Sequence, residues 1–194
     1  MRLALEVFAL GLSILLKLAQ DVPELMRFVD RVGEGSRRAV VADAARPFVL
    51  AALYRNLRKP MLIVAARSDK ARQLSEELSV WLDQDASLHL FPELDALPCE
   101  RLSSTPYTIS QRLTVLSNLA LAHKSTGYAP LIITSVQAVM PKIMTFRQYE
   151  SNCDVVKRGA KFDLENTLRR WITLGYEAAN VVDIPGTFSR RGGI

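Results

Sequence analysis

The sequence predicts an α/β fold, a mostly parallel, doubly wound sheet followed by a smaller α+β segment. Three observations carry this. Short continuous apolar runs recur between residues 38 and 136: "RAVVADA", "PMLIVAA", "SLHLF" and "PLIITSV". Between them lie stretches with apolar residues at helical spacing. After about residue 147 the alternation gives way to shorter, more polar pieces. Apolar strands alternating with amphipathic helices imply a parallel sheet covered on both faces.

Each element has its own warrant. The apolar run Leu3–Leu16 is broken by Glu6 and is too short to span a bilayer. The following "KLAQDVPEL" offers no small-x-small cleavage site. An N-terminal helix packed on the domain or on a neighbour is expected, with Glu6 and Lys17 at its wet edge. Residues 38–44 read as a buried strand, 47–57 as a helix with Pro47 in the first turn, and 60–66 as a second buried strand. Residues 68–82 read as a helix capped by Ser68, with Ala71, Leu74, Leu78, Trp81 and Leu82 on one face. A third strand covers 87–91. A helix over 105–124 comes next, capped by Thr105 and striped by Ile109, Leu113, Leu116 and Ala120. A fourth strand covers 130–136. Residues 151–159 read as a wetter strand-turn. Residues 163–176 read as a helix capped by Asp163, lined by Leu164, Leu168, Trp171 and Ile172, and stopped at Gly175. The last two pieces flank Pro185-Gly186, a good turn pair, and read as an exposed hairpin.

Bulk properties narrow the function. Lys and Arg outnumber Asp and Glu by 25 to 20 in 194 residues, and the cations are spread along the chain. Nucleic acid or an acidic partner is permitted but not required. The two cysteines, Cys99 and Cys153, have no CxxC spacing, which argues against a disulfide framework or zinc site and fits a reducing cytoplasm.

The loop after the first predicted strand is where many α/β proteins cradle a phosphate. A working P-loop needs glycines, a Lys for the outer phosphates and a Ser or Thr for magnesium. Here it reads "VADAARPF", with none of these; Asp43 brings negative charge and Pro47 removes a donor. A βαβ unit without nucleotide chemistry is expected. His89 and His123 lie in different elements without carboxylates at metal spacing, so His89 reads as a packed or edge histidine. Cys99 and Cys153 lack an activating base. Glu93, Asp95 and Glu100 read as a solvated acidic loop. The expectation is therefore no catalytic residue, no metal and no cofactor in this chain.

The stretch "LFPELDALPCERLSSTPYTISQRLTVLSNL" is more distinctive. With "PLIITSVQAVMPKI", "VVKRGAKFDLENTLRRWITLGYE" and "GTFSRRGGI", it resembles the N-terminal module of bacterial transcription-repair coupling factor (Mfd), over about residues 35–194. Cys99 stands where that family usually has an aromatic, and "SST" replaces a simpler Ser-Pro step. The resemblance implies a module similar to the excision-repair subunit UvrB: a degenerate P-loop helicase-like domain 1a (1–147), then the start of a small α+β domain 2 (148–194). UvrB carries a working Gly-rich loop, whereas the coupling factor's copy has lost it, in keeping with "VADAARPF". The chain then reads as a truncated fragment, without the polymerase-binding domain, the ATP- and Mg-dependent motor and the C-terminal regulatory domain. The implied role is docking of the damage-sensing subunit UvrA. Arg191 is the first residue carried over, with Arg190 and Phe188 as neighbours. RNA polymerase and double-stranded DNA would be met through other domains, and no membrane is involved. The alternative is a UvrB-like accessory domain that contacts DNA itself, through Lys157, Arg158, Lys161, Arg169 and Arg170.

Overall fold

The centre of the fold is β3 (Leu131–Ser135), in which all five residues are buried. β1 (Met61–Ala65) and β2 (Leu88–Phe91) pair with it in parallel, one on each side. The register puts Leu62, Ile132 and His89 in one row and Ile63, Ile133 and Leu90 in the next. The structure is a computed structural model that describes residues 12–83, 85–95, 104–159, 161 and 163–190.

Among the described residues, α1 (Pro23–Asp30) and α2 (Arg46–Leu57) precede the sheet. α3 (Ser68–Trp81) connects β1 to β2, and α4 (Pro106–Lys124) connects β2 to β3. The first crossover steps over β3 and the second steps back. Right-handed crossovers therefore put α3 and α4 on opposite faces. The α3 face holds the larger core: Leu74, Leu78, Ala51, Leu53, Leu131 and Ile133. Leu16 and Ala19, from a 3-10 helix at Leu12–Asp21, join it. The N-terminal segment thus packs on the domain, as the sequence suggests; Glu6 lies outside the described residues. The α4 face holds a smaller core of Phe91, Val115, Ile132 and Ala138.

The predicted α4 stripe is corrected. Ile109 and Leu113 are exposed, and the buried positions are Thr108, Arg112 and Val115. Arg112 sets this rotation. It is 7% exposed, and its Nη1 donates to the Pro92 carbonyl at 2.6 Å and to the Ala138 carbonyl at 3.2 Å. Its guanidinium lies 3.9 Å from the centre of the Phe91 ring. A cation that finds two carbonyls and an aromatic face is held inward, and the apolar stripe turns outward with it.

Two predicted strands are absent. Residues 38–42 are extended but unpaired, and Val40 is 92% exposed. They pair with no strand edge, the outer edge of β1 included, and with α1 and α2 they line a 420 Å³ groove containing Phe28, Val49 and Leu53. Residues 152–158 form exposed coil after α6 (Phe146–Ser151), whose capping box joins Thr145 and Gln148. Ser68 is the first residue of α3 rather than its cap; Arg67 holds the cap position and pairs with Asp69. Coverage of the sheet also departs from expectation. Leu62 and Val64 are 58% and 46% exposed, because α4 covers β2 and β3 and leaves the same face of β1 open.

This packing has two measurable consequences. Arg112→Met keeps most of the volume but leaves two carbonyls unpaired, so unfolding free energy should fall by about 2–4 kcal/mol. Urea denaturation checks this, and an unchanged midpoint would refute the clamp. Replacing Val64 with Lys on the open face should cost less than about 1 kcal/mol and reduce concentration-dependent association in sedimentation.

Candidate partner-docking surface

The C-terminal unit is built around one tryptophan. α7 (Leu164–Thr173) is capped by Asp163, which accepts from the Asn166 N–H at 3.1 Å. The helix ends at Gly175, whose φ of +93° suits a residue without Cβ. The chain then reverses, and β4 (Glu177–Ala178) pairs with β5 (Thr187–Phe188). The pairing is parallel, so the predicted hairpin about Pro185-Gly186 is corrected to a crossover. The Thr187 hydroxyl donates to the Ile184 carbonyl at 2.7 Å and closes the turn. Trp171 packs against Tyr176 at 6.0 Å and Phe188 at 5.7 Å between ring centres.

The predicted docking residues fall in different settings. Phe188 is half-buried, and its ring packs edge-on against Trp171. Arg190 is exposed just beyond β5. Arg191 lies outside the described residues. Ser189 Oγ donates to the Asn180 carbonyl at 3.1 Å, which brings the backbone before Arg190 beside the exposed Val181, Val182 and Ile184. The unit thus exposes a cation and a short run of apolar residues. Sequence reading missed this run, although "NVVDI" has too many apolar residues for a solvated loop. Arg170, by contrast, is spent: it donates to the Ser151 carbonyl and pairs with Asp154 at 3.0 Å. Arg169 pairs with Glu165 at 2.6 Å.

The 43–47 corner is a short 3-10 turn, with Asp43 paired to Arg46 at 2.5 Å. It borders a 670 Å³ cleft that Lys70, Gln73, Glu77 and the end of β1 also line. The corner lacks the features of a phosphate-binding loop. A carboxylate occupies the amino end of α2, Pro47 withholds an N–H, and the turn has no glycine to converge the others.

His89 is held in a polar chain that sequence reading did not find. Asn118 Nδ2 donates to the Thr114 carbonyl at 2.9 Å, so its Oδ1 faces Tyr128 and accepts the Tyr128 proton. Tyr128 then accepts from Ser87, and Ser87 Oγ accepts from His89 Nε2 at 2.7 Å. In this order of donors His89 gives its proton to Ser87 rather than taking one from it. Burial pushes the His89 pKa below its ordinary value.

Two residues of the acidic stretch, Glu93 and Asp95, are hydrogen-bonded to the protein. Glu93 accepts from the buried Ser135 hydroxyl. Asp95 accepts from the Thr105 N–H at 2.8 Å and its hydroxyl at 2.9 Å. The Thr105 N–H, with the Thr108 and Thr105 hydroxyls, holds the Asp95 carboxyl below the usual range. Cys99 and Glu100 lie outside the described residues, and Cys153 is exposed. Among the described residues, no helix is long and apolar enough to cross a membrane.

No family model matches this chain. Comparison with known proteins finds transcription-repair-coupling factors. The relative from Myxococcus xanthus is 31% identical over 179 residues, 90% of this chain and 14% of its own length. That from Mycobacterium tuberculosis is 32% identical over 186 residues, 93% of this chain and 14% of its own. The Bacillus subtilis relative is 25% identical over 178 residues. The chain is homologous to transcription-repair-coupling factor. It spans about one-seventh of the length of these relatives. The aligned share takes in most of this chain, so the homology to the coupling factors covers both the three-stranded sheet and most of the C-terminal unit.

The His89 environment gives a pH test. A histidine with a depressed folded pKa takes up its proton more readily when unfolded. Stability should be complete above about pH 6.5 and fall as the pH drops below it, through the folded pKa. Urea midpoints measured from pH 8 to 5 should show this decline, and His89→Gln should flatten the part due to this group. A decline identical in the variant would refute it.

Proposed function

We propose that this chain is the recruitment module of a transcription-repair coupling factor, which docks the excision-repair subunit UvrA. In this reading residues 1–147 form a UvrB-like domain 1a whose helicase-like sheet has no nucleotide chemistry. Residues 148–194 begin domain 2, the docking domain. The chain itself is not an enzyme. ATP and magnesium belong to a DNA-translocating motor elsewhere in the parent, as do the contacts with RNA polymerase and double-stranded DNA.

The observation that carries the proposal is that the exposed Val181, Val182 and Ile184 belong to the same small unit as the exposed Arg190, in which Phe188 packs on Trp171. An arginine next to apolar surface has the make-up of an interface hot spot, because its planar fork pairs with a carboxylate while its stem packs. Arg191 remains the first choice on the resemblance. Phe188 acts through its packing on Trp171 and shapes the surface from beneath.

Pull-down of this chain by UvrA tests the proposal. Arg191→Ala should weaken capture by about tenfold or more, and Arg190→Ala by less. Val182→Asp should also weaken it, with unfolding unchanged. No capture of the wild-type chain would defeat the docking reading, and full capture of Arg191→Ala would defeat the residue assignment.

A second reading, direct contact with DNA, is favoured by the exposed Lys157, Arg158 and Lys161. It is weakened by the pairing of Arg169 with Glu165 and of Arg170 with Asp154, which leaves fewer free cations for phosphates. Electrostatic DNA binding would be strongest at low salt and fall steeply as salt rises. The docking reading expects no measurable binding of duplex DNA to this chain at low ionic strength, by fluorescence anisotropy; tight, salt-sensitive binding would favour the second reading.

A further inference from the structure

We draw no further inference here: the strongest candidate, the outer edge of β1 with the exposed Leu62 and Val64 beside it, carries nothing because nothing in the structure shows what covers it.

Discussion

The sheet and its second face depend on one buried cation. Arg112 ties three separate pieces of backbone together: the end of β2 at Pro92, the end of the turn after β3 at Ala138, and its own helix α4. Phe91 closes the fourth side with its ring. A methylene chain could fill that volume but could not satisfy two carbonyls. An apolar side chain in the same place would leave both acceptors stranded in a small core. Around the clamp, Thr134 donates to the Phe91 carbonyl at 3.0 Å, and Ser135 caps the short α5 (Val136–Val139) while it donates to Glu93. The carboxyl end of the sheet is thus held by polar groups, whereas the α3 face is held by leucine, isoleucine and alanine.

This division explains why the two faces differ so much. The α3 face gathers side chains from the 3-10 helix, α1, α2 and α3, and it closes over the whole sheet. The α4 face has one helix to cover three strands, and a helix about 10 Å wide covers roughly two at their spacing of about 4.8 Å. β1 is the strand left over. Among the described residues no strand pairs with its outer edge, and its open face carries Leu62 and Val64. A sheet of this composition is read as buried because most relatives of such strands are buried on both sides. Here the apolar sequence describes a covering larger than the one α4 supplies.

Sequence reading succeeded where local and global preferences agree. Met61–Ala65 and Leu131–Ser135 are strands within a residue of their predicted ends, and Thr105 and Asp163 cap the helices they were expected to cap. It failed where a partner decides the outcome. The Ala39–Val41 stretch has strand composition, but a strand exists only beside another edge, and periodicity says nothing about which edges are free. The face of α4 was misjudged for a similar reason. Hydrophobic spacing gives weight to Ile109 and Leu113, whereas the energetics of one charged side chain decide the rotation. The His89 relay was illegible because its members, Ser87, Asn118 and Tyr128, are scattered over two connections and a helix. In the C-terminal unit, Arg190 and Arg191 were singled out by the resemblance alone, whereas the approach of Asn180 to Ser189 follows from the parallel β4–β5 pairing, which no local pattern announces.

The C-terminal unit is joined to the sheet domain by contacts of a different character from either core. Lys124 pairs with Glu150 at 2.6 Å, Tyr149 shares a hydrogen bond with Ser117, and His123 meets the Phe146 ring edge-on at 4.8 Å. All of these link the second half of α4 to α6, and the ion pair lies at the surface, where it is worth under about 1 kcal/mol. α6 in turn is tied to α7 by Arg170, through the Ser151 carbonyl. One path from Arg112 to Trp171 therefore runs along α4, across α6 and into α7, and a second contact joins the start of α4 directly to the C-terminal unit, where the Tyr107 hydroxyl donates to the Asp183 carbonyl at 3.5 Å. The C-terminal unit has an aromatic centre of its own in Trp171, Tyr176 and Phe188, so its internal shape is set by contacts separate from those of the buried sheet.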